Sequence, residues 1–285
     1  MPVLAPESDE AKRITAALGE WRQGDLALDE TWFVHVADGT APLSDAANQL
    51  EGDGAQAVES ETCGLVVVTQ TCDVVRNCTE RPYVEVSPLV KVSAEHFREV
   101  QRGRRPAYAA LPALSQACLV ADLDRVMTVE KSIVASWKRT AGYTNDADGR
   151  TFALALARKR ARFAFPDDFT LFARKLQGRL AEKHDKGSDE GRGLRALREV
   201  RVQAAPSWDA ATVNIFFWFV RHEHDANFDG KSWAELLKEW LKLVTASGRF
   251  QSVDGQVVAL EDMTAAEYVD SDPFDLDYLS LRESK

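Results

Sequence analysis

Polar side chains that could do chemistry stand directly after an apolar, β-branched run. The run predicts a buried strand, and residues 69–73 (Thr-Gln-Thr-Cys-Asp) follow it where such a strand reaches the surface. Cys72 and Asp73 would suit a nucleophile and an orienting acid, but a nucleophilic cysteine also needs a base such as histidine. The nearest histidines in sequence are His35 and His96, whose positions the sequence does not fix. The alternative is a turn in which Asp73 accepts backbone N–H groups.

A second candidate is a pair of histidines. His222 and His224 follow a strongly apolar strand at spacing i, i+2, so both could project to one side and bind a metal. No third ligand is identifiable, and the alternative is a solvated strand end. Cys63, Cys72 and Cys78 lack the paired C-x2-C spacing of a structural zinc site, so they are interpreted as core residues and no cofactor is expected.

A group of charges follows later in the chain. Asp122 and Asp124 share a strand face, and Glu130 and Lys131 come soon after them. Carboxylates and a lysine occur together in metal-dependent nucleases. The order and spacing here match no nuclease pattern, so these residues are interpreted as surface charges.

The charge of the chain is unevenly distributed. The formal net charge is −10, which argues against non-specific binding of nucleic acid by the whole molecule. Residues 150–201, however, contain fourteen Lys and Arg against seven Asp and Glu. This basic segment could face phosphates, or it could hold the acidic ends of the chain. The candidate nucleic-acid-binding residues are Arg158, Lys159, Arg160, Arg162, Arg174, Lys175 and Arg179.

The C-terminal segment alternates aromatic and apolar residues with acids. Segments of this kind dock on a basic groove of a partner or of the same chain, and the basic segment 150–201 is one candidate groove. The candidate partner-binding residues are Tyr268, Phe274, Leu276 and Tyr278.

The periodicity of the chain predicts an α+β fold in three parts. Residues 1–145 read as a helix followed by several strands, 146–198 as basic helices, and 199–285 as a small α+β unit. Within the first part, 38–61 reads as a loop or short helix and 64–92 as a strand hairpin, and within the last part 231–244 reads as an amphipathic helix. Within the last part, Asp254-Gly255 reads as the turn of a short strand pair. Without a signal or membrane-spanning pattern, a cytoplasmic location with reduced cysteines is expected.

Four segments of the N-terminal part resemble the MazF/PemK family, the toxin ribonucleases of bacterial toxin–antitoxin modules. They are the opening Gly24-Asp25, the strand in 64–75, the strand around Pro88-Leu89 in 84–92, and the closing segment 120–134. The resemblance covers about residues 22–136 and implies an SH3-like β-barrel.

The expected catalytic positions of that family are not matched. The family has an arginine at the start of its second strand and a threonine or serine after the Pro-Leu pair, whereas this chain has Thr62-Cys63 and Val90 there. The resemblance therefore implies a binding version of the barrel, or one whose chemistry has moved to the exit of the strand. The candidate catalytic residues are then Gln70, Thr71, Cys72, Asp73 and Arg76.

Three functions remain open. The first is a bacterial toxin-like or phage-defence protein that binds RNA or DNA and, if it is an enzyme, cleaves it as a nuclease. The second is a non-catalytic subunit that binds a cognate protein. The third is a cysteine- or metal-dependent hydrolase.

Overall fold

The protein is described by a computed structural model covering residues 4–52, 54–103, 105–161, 163–184, 186–221 and 230–274. Helices and antiparallel strands occur together, which confirms the α+β class. The chain divides into two compact units, Met1–Ala161 (unit 1) and Arg162–Lys285 (unit 2), so the predicted middle part 146–198 is shared between them. Within the described residues, no helix has both the length and the apolar character needed to cross a membrane.

Unit 1 consists of short strands with helices at its edges. Its helices are α1 Asp9–Ala17, α2 Thr71–Val74, α3 Ala94–Gln101, α4 Lys131–Val134 and α5 Asp146–Arg160. Its strands are β1 Leu26–Ala27, β2 Trp32–Asp38, β3 Ala55–Glu61, β4 Leu65–Val67, β5 Tyr83–Lys91, β6 Tyr108–Ala109, β7 Leu119–Asp122 and β8 Met127–Glu130.

Strand β5 organises this unit. It pairs antiparallel with β4, as the predicted hairpin requires, and on its other side with β8 through residues 83–86 and with β7 through residues 89–91. Ser87-Pro88 lies where the partner of β5 changes from β8 to β7. Proline has no N–H to donate to a strand partner, and neither β8 nor β7 pairs with Pro88. The Ser87 hydroxyl donates to the carbonyl oxygen of Asp122 at 2.5 Å. The SH3-like barrel stays a prediction.

Two local predictions in unit 1 were wrong. Residues 38–61 were expected to form a loop or short helix, but β3 lies there and pairs with β2 in a separate two-stranded ribbon. The polar residues of β3 fit a strand because the ribbon leaves them exposed or half-buried. The strand expected in 64–75 is shorter than predicted: only Leu65–Val67 form the buried strand β4, and residues 71–74 form a helix with Gln70 as its N-cap residue.

Unit 2 is a mixed sheet with helices. Its helices are α6 Asp167–His184, α7 Asp189–Ala196, α8 Trp233–Leu241 and α9 Ala265–Val269, and its strands are β9 Leu197–Ala205, β10 Val213–Arg221, β11 Phe250–Ala259 and β12 Asp272–Pro273. The strand order is β11-β10-β9-β12. The core holds Phe169 and Leu176 of α6, Phe217 and Phe219 of β10, and Trp240 of α8.

The prediction of a turn at Asp254-Gly255 was wrong. Residues 250–259 form one strand, β11, which runs parallel to β10 after the crossover through α8. A Cβ on Gly255 would lie 2.7 Å from the carbonyl oxygen of Phe217. The glycine therefore permits close approach of two strands, which is the other structural meaning of a glycine inside a strand pattern.

Candidate functional site

Unit 1 contains a cleft with a volume of about 720 Å³. One wall is the exit of β4, from Val68 to Asp73, and a second wall, which is hydrogen-bonded to the first, is the segment from Glu80 to Glu85 at the start of β5. Helix α5 lines a third side. The cleft is therefore built from three segments that lie far apart in sequence.

Helix α5 presents small side chains to the cleft. Ala153, Leu156, Ala157 and Arg160 line it, and the spacing i, i+3, i+4, i+7 places them on one helix face. The helix begins after Asn145, whose side chain accepts from the N–H of Asp148 at 3.0 Å. Two alanines on this face leave room that longer side chains would fill, and Arg160 ends the row with a charge.

The exit of β4 is fixed by hydrogen bonds to neighbouring backbone. The Gln23 side-chain amide donates to the carbonyl oxygen of Val68 at 2.8 Å, and the Gln23 backbone N–H donates to the Thr71 hydroxyl at 3.0 Å. The Thr69 hydroxyl accepts from the N–H of Glu85 at 2.6 Å. Thr71 is thus a structural acceptor, while the side chain of Gln70 is exposed in the cleft wall.

Lys131 lies beneath this wall. Its side chain is buried, with the residue only 1% exposed, and its ammonium donates to the carbonyl oxygens of Asp73 and Arg76 at 2.8 Å each. Burial lowers the pKa of Lys131, and the neighbouring Cys78 and Asp73 act in the opposite direction. The carbonyl groups after a one-turn helix lack helical partners, so this ammonium takes the place of a C-terminal cap.

The charges around the cleft are mostly paired at the surface. Arg160 lies 3.2 Å from Glu85, and Arg76 lies 3.8 Å from Asp73, both between carboxylate oxygen and guanidinium nitrogen. Both pairs are about half exposed, so each contributes little to stability and can be broken by a competing ion. Arg81 and Tyr83 stand at the rim, and Tyr83 is 57% exposed.

Only some of the predicted catalytic residues line the cleft. Gln70 and Asp73 line the cleft, and Arg76 pairs with Asp73. Cys72 is exposed, and its thiol donates to Gln70 Oε1 at 3.7 Å. The two histidines considered as its base have other neighbours: His35 lies 3.5 Å from the Ser60 hydroxyl, and the His96 ring packs against Tyr108.

The predicted nucleic-acid-binding residues are largely engaged within the chain. Arg158 donates to the carbonyl oxygen of Gly103, and Lys159 pairs with Asp124. Arg179 pairs with the buried carboxylate of Glu190 at 2.8 Å. Arg174 and Lys175 are exposed on α6, and Arg162 lies outside the described residues.

The metal and partner-binding candidates fall in two groups. His222, His224, Leu276 and Tyr278 lie outside the described residues. The described residues contain no group of three or more His, Cys, Asp or Glu side chains that could hold a metal ion.

The remaining two aromatic residues are used within unit 2. Phe274 is 2% exposed in the core. The Tyr268 ring stacks on the guanidinium of Arg201 at 4.0 Å, and its hydroxyl donates to Glu199 at 3.2 Å. Tyr268 therefore docks on strand β9, at the end of the basic segment 150–201, and Phe274 packs against Phe169 of helix α6 and Phe217 of β10.

Asp122 and Lys131 correct the interpretation of their segment as surface charge. Asp122 is 9% exposed and pairs with Arg125 at 2.7 Å, and Lys131 is buried as described above. A sequence signal for the burial of Lys131 did exist. Buried and exposed residues alternate along β8, and Lys131 takes the next buried position. The part of α5 in the cleft had a signal too, namely alanines on one helix face ending in Arg160.

Comparison of the chain with protein-family models, with curated proteins and with solved structures found no match.

Proposed function

We propose that unit 1 binds single-stranded nucleic acid in the cleft. The observation that carries this proposal is that members of two separately predicted sets lie in the same cleft. Gln70 and Asp73 come from the predicted catalytic set, and Arg160 comes from the predicted nucleic-acid-binding set. A toxin-like or defence-associated role would build on this binding.

The side chains of the cleft match the parts of a nucleotide. The exposed ring of Tyr83 offers a stacking surface for a base, and the amide of Gln70 offers a donor and an acceptor to a base edge. Arg81 and Arg160 offer positive charge to phosphates. A base enters such a cleft only when it is unpaired, so single strands are the expected ligand.

The cleft is lined by two arginines and by the carboxylates of Asp73, Glu80 and Glu85, so only modest salt dependence is expected. Two arginines each contacting one phosphate give a slope of log affinity against log salt of roughly −1.4 for a single strand. The seven basic residues predicted from the sequence would have given a slope of roughly −5. The slope therefore tests whether the cleft or a broad basic surface makes the contacts.

The direct test fills the cleft. Ala157→Phe places a ring on the cleft face of α5, and we expect it to abolish binding of a fluorescein-labelled oligoribonucleotide or oligodeoxyribonucleotide, measured by anisotropy. Leu154→Phe is the matched control, because Leu154 lies on the same helix, is exposed and does not line the cleft. Equal binding by both variants would contradict the proposal. Shortening of the labelled strand in the same samples would report cleavage.

A second candidate function is binding of a cognate protein through the β2–β3 ribbon. The observation that favours it is exposed apolar surface on this ribbon and its connection, where Val36 is 71% and Leu43 fully exposed. A two-stranded ribbon is only marginally stable by itself. Exposed apolar patches mark sites of protein–protein interaction. If this function is correct, Val36→Asp with Leu43→Asp loses a stoichiometric partner that Ala157→Phe retains.

A further inference from the structure

Lys131 is hydrogen-bonded to two walls of the cleft. Its ammonium donates to the carbonyl oxygens of Asp73 and Arg76, at the end of the wall that carries Gln70. Its backbone N–H donates to the carbonyl oxygen of Pro82 at 2.8 Å, in the wall that carries Arg81 and Tyr83. One buried residue thus bonds to both segments, which also bond directly to each other between Thr69 and Glu85.

We propose that Lys131 is a positioning residue that holds helix α2, at the end of the first wall, against the start of β5, and that ligand binding depends on it although it touches no ligand. The proposal rests on the proposed binding function. A charged ammonium suits this task because bonds from an ionised donor are stronger than those from a neutral one. Helix α2 has only four residues, too few to hold its own shape without such a partner.

The apolar core beneath the cleft joins the same two segments, but in a different way. Val134, on the same short helix as Lys131, is fully buried in a cluster with Val74 and Val84. Its contacts are non-directional and stabilise the unit as a whole. Lys131, by contrast, makes directional bonds to particular carbonyl groups, so removal should loosen the walls more than it lowers global stability.

The experiment compares Lys131→Met with Val134→Ala. We expect both to lower the melting temperature. Lys131→Met should also weaken binding of the labelled oligonucleotide at least about tenfold and speed exchange of the Val74 and Val75 amide hydrogens by a similar factor, because two charge-assisted bonds are lost. Val134→Ala should leave affinity within about twofold. Lys131→Gln, which keeps a donor, should recover part of the affinity.

A measurement on the wild-type protein covers the case in which Lys131→Met does not fold. If Lys131 joins the two walls, the amides of Val74 and Val75 and the amide of Lys131 should open with one common free energy in hydrogen exchange. Separate opening energies, or a folded Lys131→Met with unchanged exchange and affinity, would overturn the positioning role alone. Absence of binding by wild-type protein would instead overturn the proposed function, and exchange would still decide the role of Lys131.

Discussion

Two arginines, Arg160 in unit 1 and Arg201 in unit 2, are used in opposite ways. Around the cleft of unit 1, Arg160 and Glu85 meet at the surface, where a ligand can replace either partner. In unit 2, Arg201 is 6% exposed and donates to the carbonyl oxygens of Tyr268 and Ser271, to the Ser271 hydroxyl and to Glu199. Both arginines belong to the basic segment 150–201. Arg160 is thus available to a ligand, whereas Arg201 stabilises the fold of unit 2.

The physical difference is the cost of removing one partner. Breaking an exposed pair costs about 0–1 kcal/mol, since water replaces the lost contact. Removing one partner of a buried charge network costs about 3–5 kcal/mol, because the remaining polar groups stay buried without partners. A ligand can therefore replace one partner of an exposed pair, but not one partner of a buried charge network.

The largest expected effect is in unit 2. Arg201→Met should lower the free energy of unfolding of unit 2 by about 3 kcal/mol, because two backbone carbonyl groups lose their donor. Urea denaturation followed by tryptophan fluorescence measures it. Arg198→Met is the control, since Arg198 is about half exposed and lies 3.6 Å from Glu199, and it should cost less than about 1 kcal/mol. Equal costs for the two variants would remove the contrast between the units.

The sequence predicted elements well where they depend on local pattern. The β-branched runs became β4, β5 and β10, and α8 lies within the expected amphipathic helix. It could not show which basic residues are structural, because Arg201 finds Ser271 seventy residues away. Nor could it show the cleft, whose walls meet only through the pairing of β4 with β5 and the packing of α5. Asp254-Gly255 shows the same limit, because the packing of two strands gives this dipeptide its role.

The second prediction tests whether Gly255 permits the close approach of β10 and β11. Gly255→Ala should cost unit 2 about 1–3 kcal/mol, because the new Cβ would meet the carbonyl oxygen of Phe217 and force the parallel strands apart. Gly178→Ala is the opposite case, since nothing lies within 4 Å of its Cβ position in α6, and it should stabilise by about 0.5–1 kcal/mol. The two changes in urea midpoint should have opposite signs. A neutral Gly255→Ala would mean that the strands are less closely packed.

The third prediction concerns the exposed pair of unit 1. Glu85→Gln removes a carboxylate beside Arg160 and should raise affinity for the labelled oligonucleotide about threefold, because the guanidinium no longer needs to exchange partners. Stability should change by less than about 1 kcal/mol. Anisotropy titration and urea denaturation measure the two effects. Weaker binding would show that Glu85 itself contacts the ligand and would reverse its assigned role.

The smallest effect is expected from a pair in unit 2 that resembles the pairs of unit 1. Arg249 donates to both carboxylate oxygens of Asp168 and lowers the pKa of that carboxyl group, but half of the Asp168 side chain is exposed. A lowered pKa means that the pair stabilises the fold above the usual carboxyl pKa and that this contribution is lost as the pH falls through the lowered value. Asp168→Asn should therefore cost less than about 1 kcal/mol at pH 7 and nothing near pH 2, measured by urea denaturation at both pH values. A cost that persists in acid would assign the effect to packing of the side chain, and exposure would then fail to separate the exchangeable pairs from the structural ones.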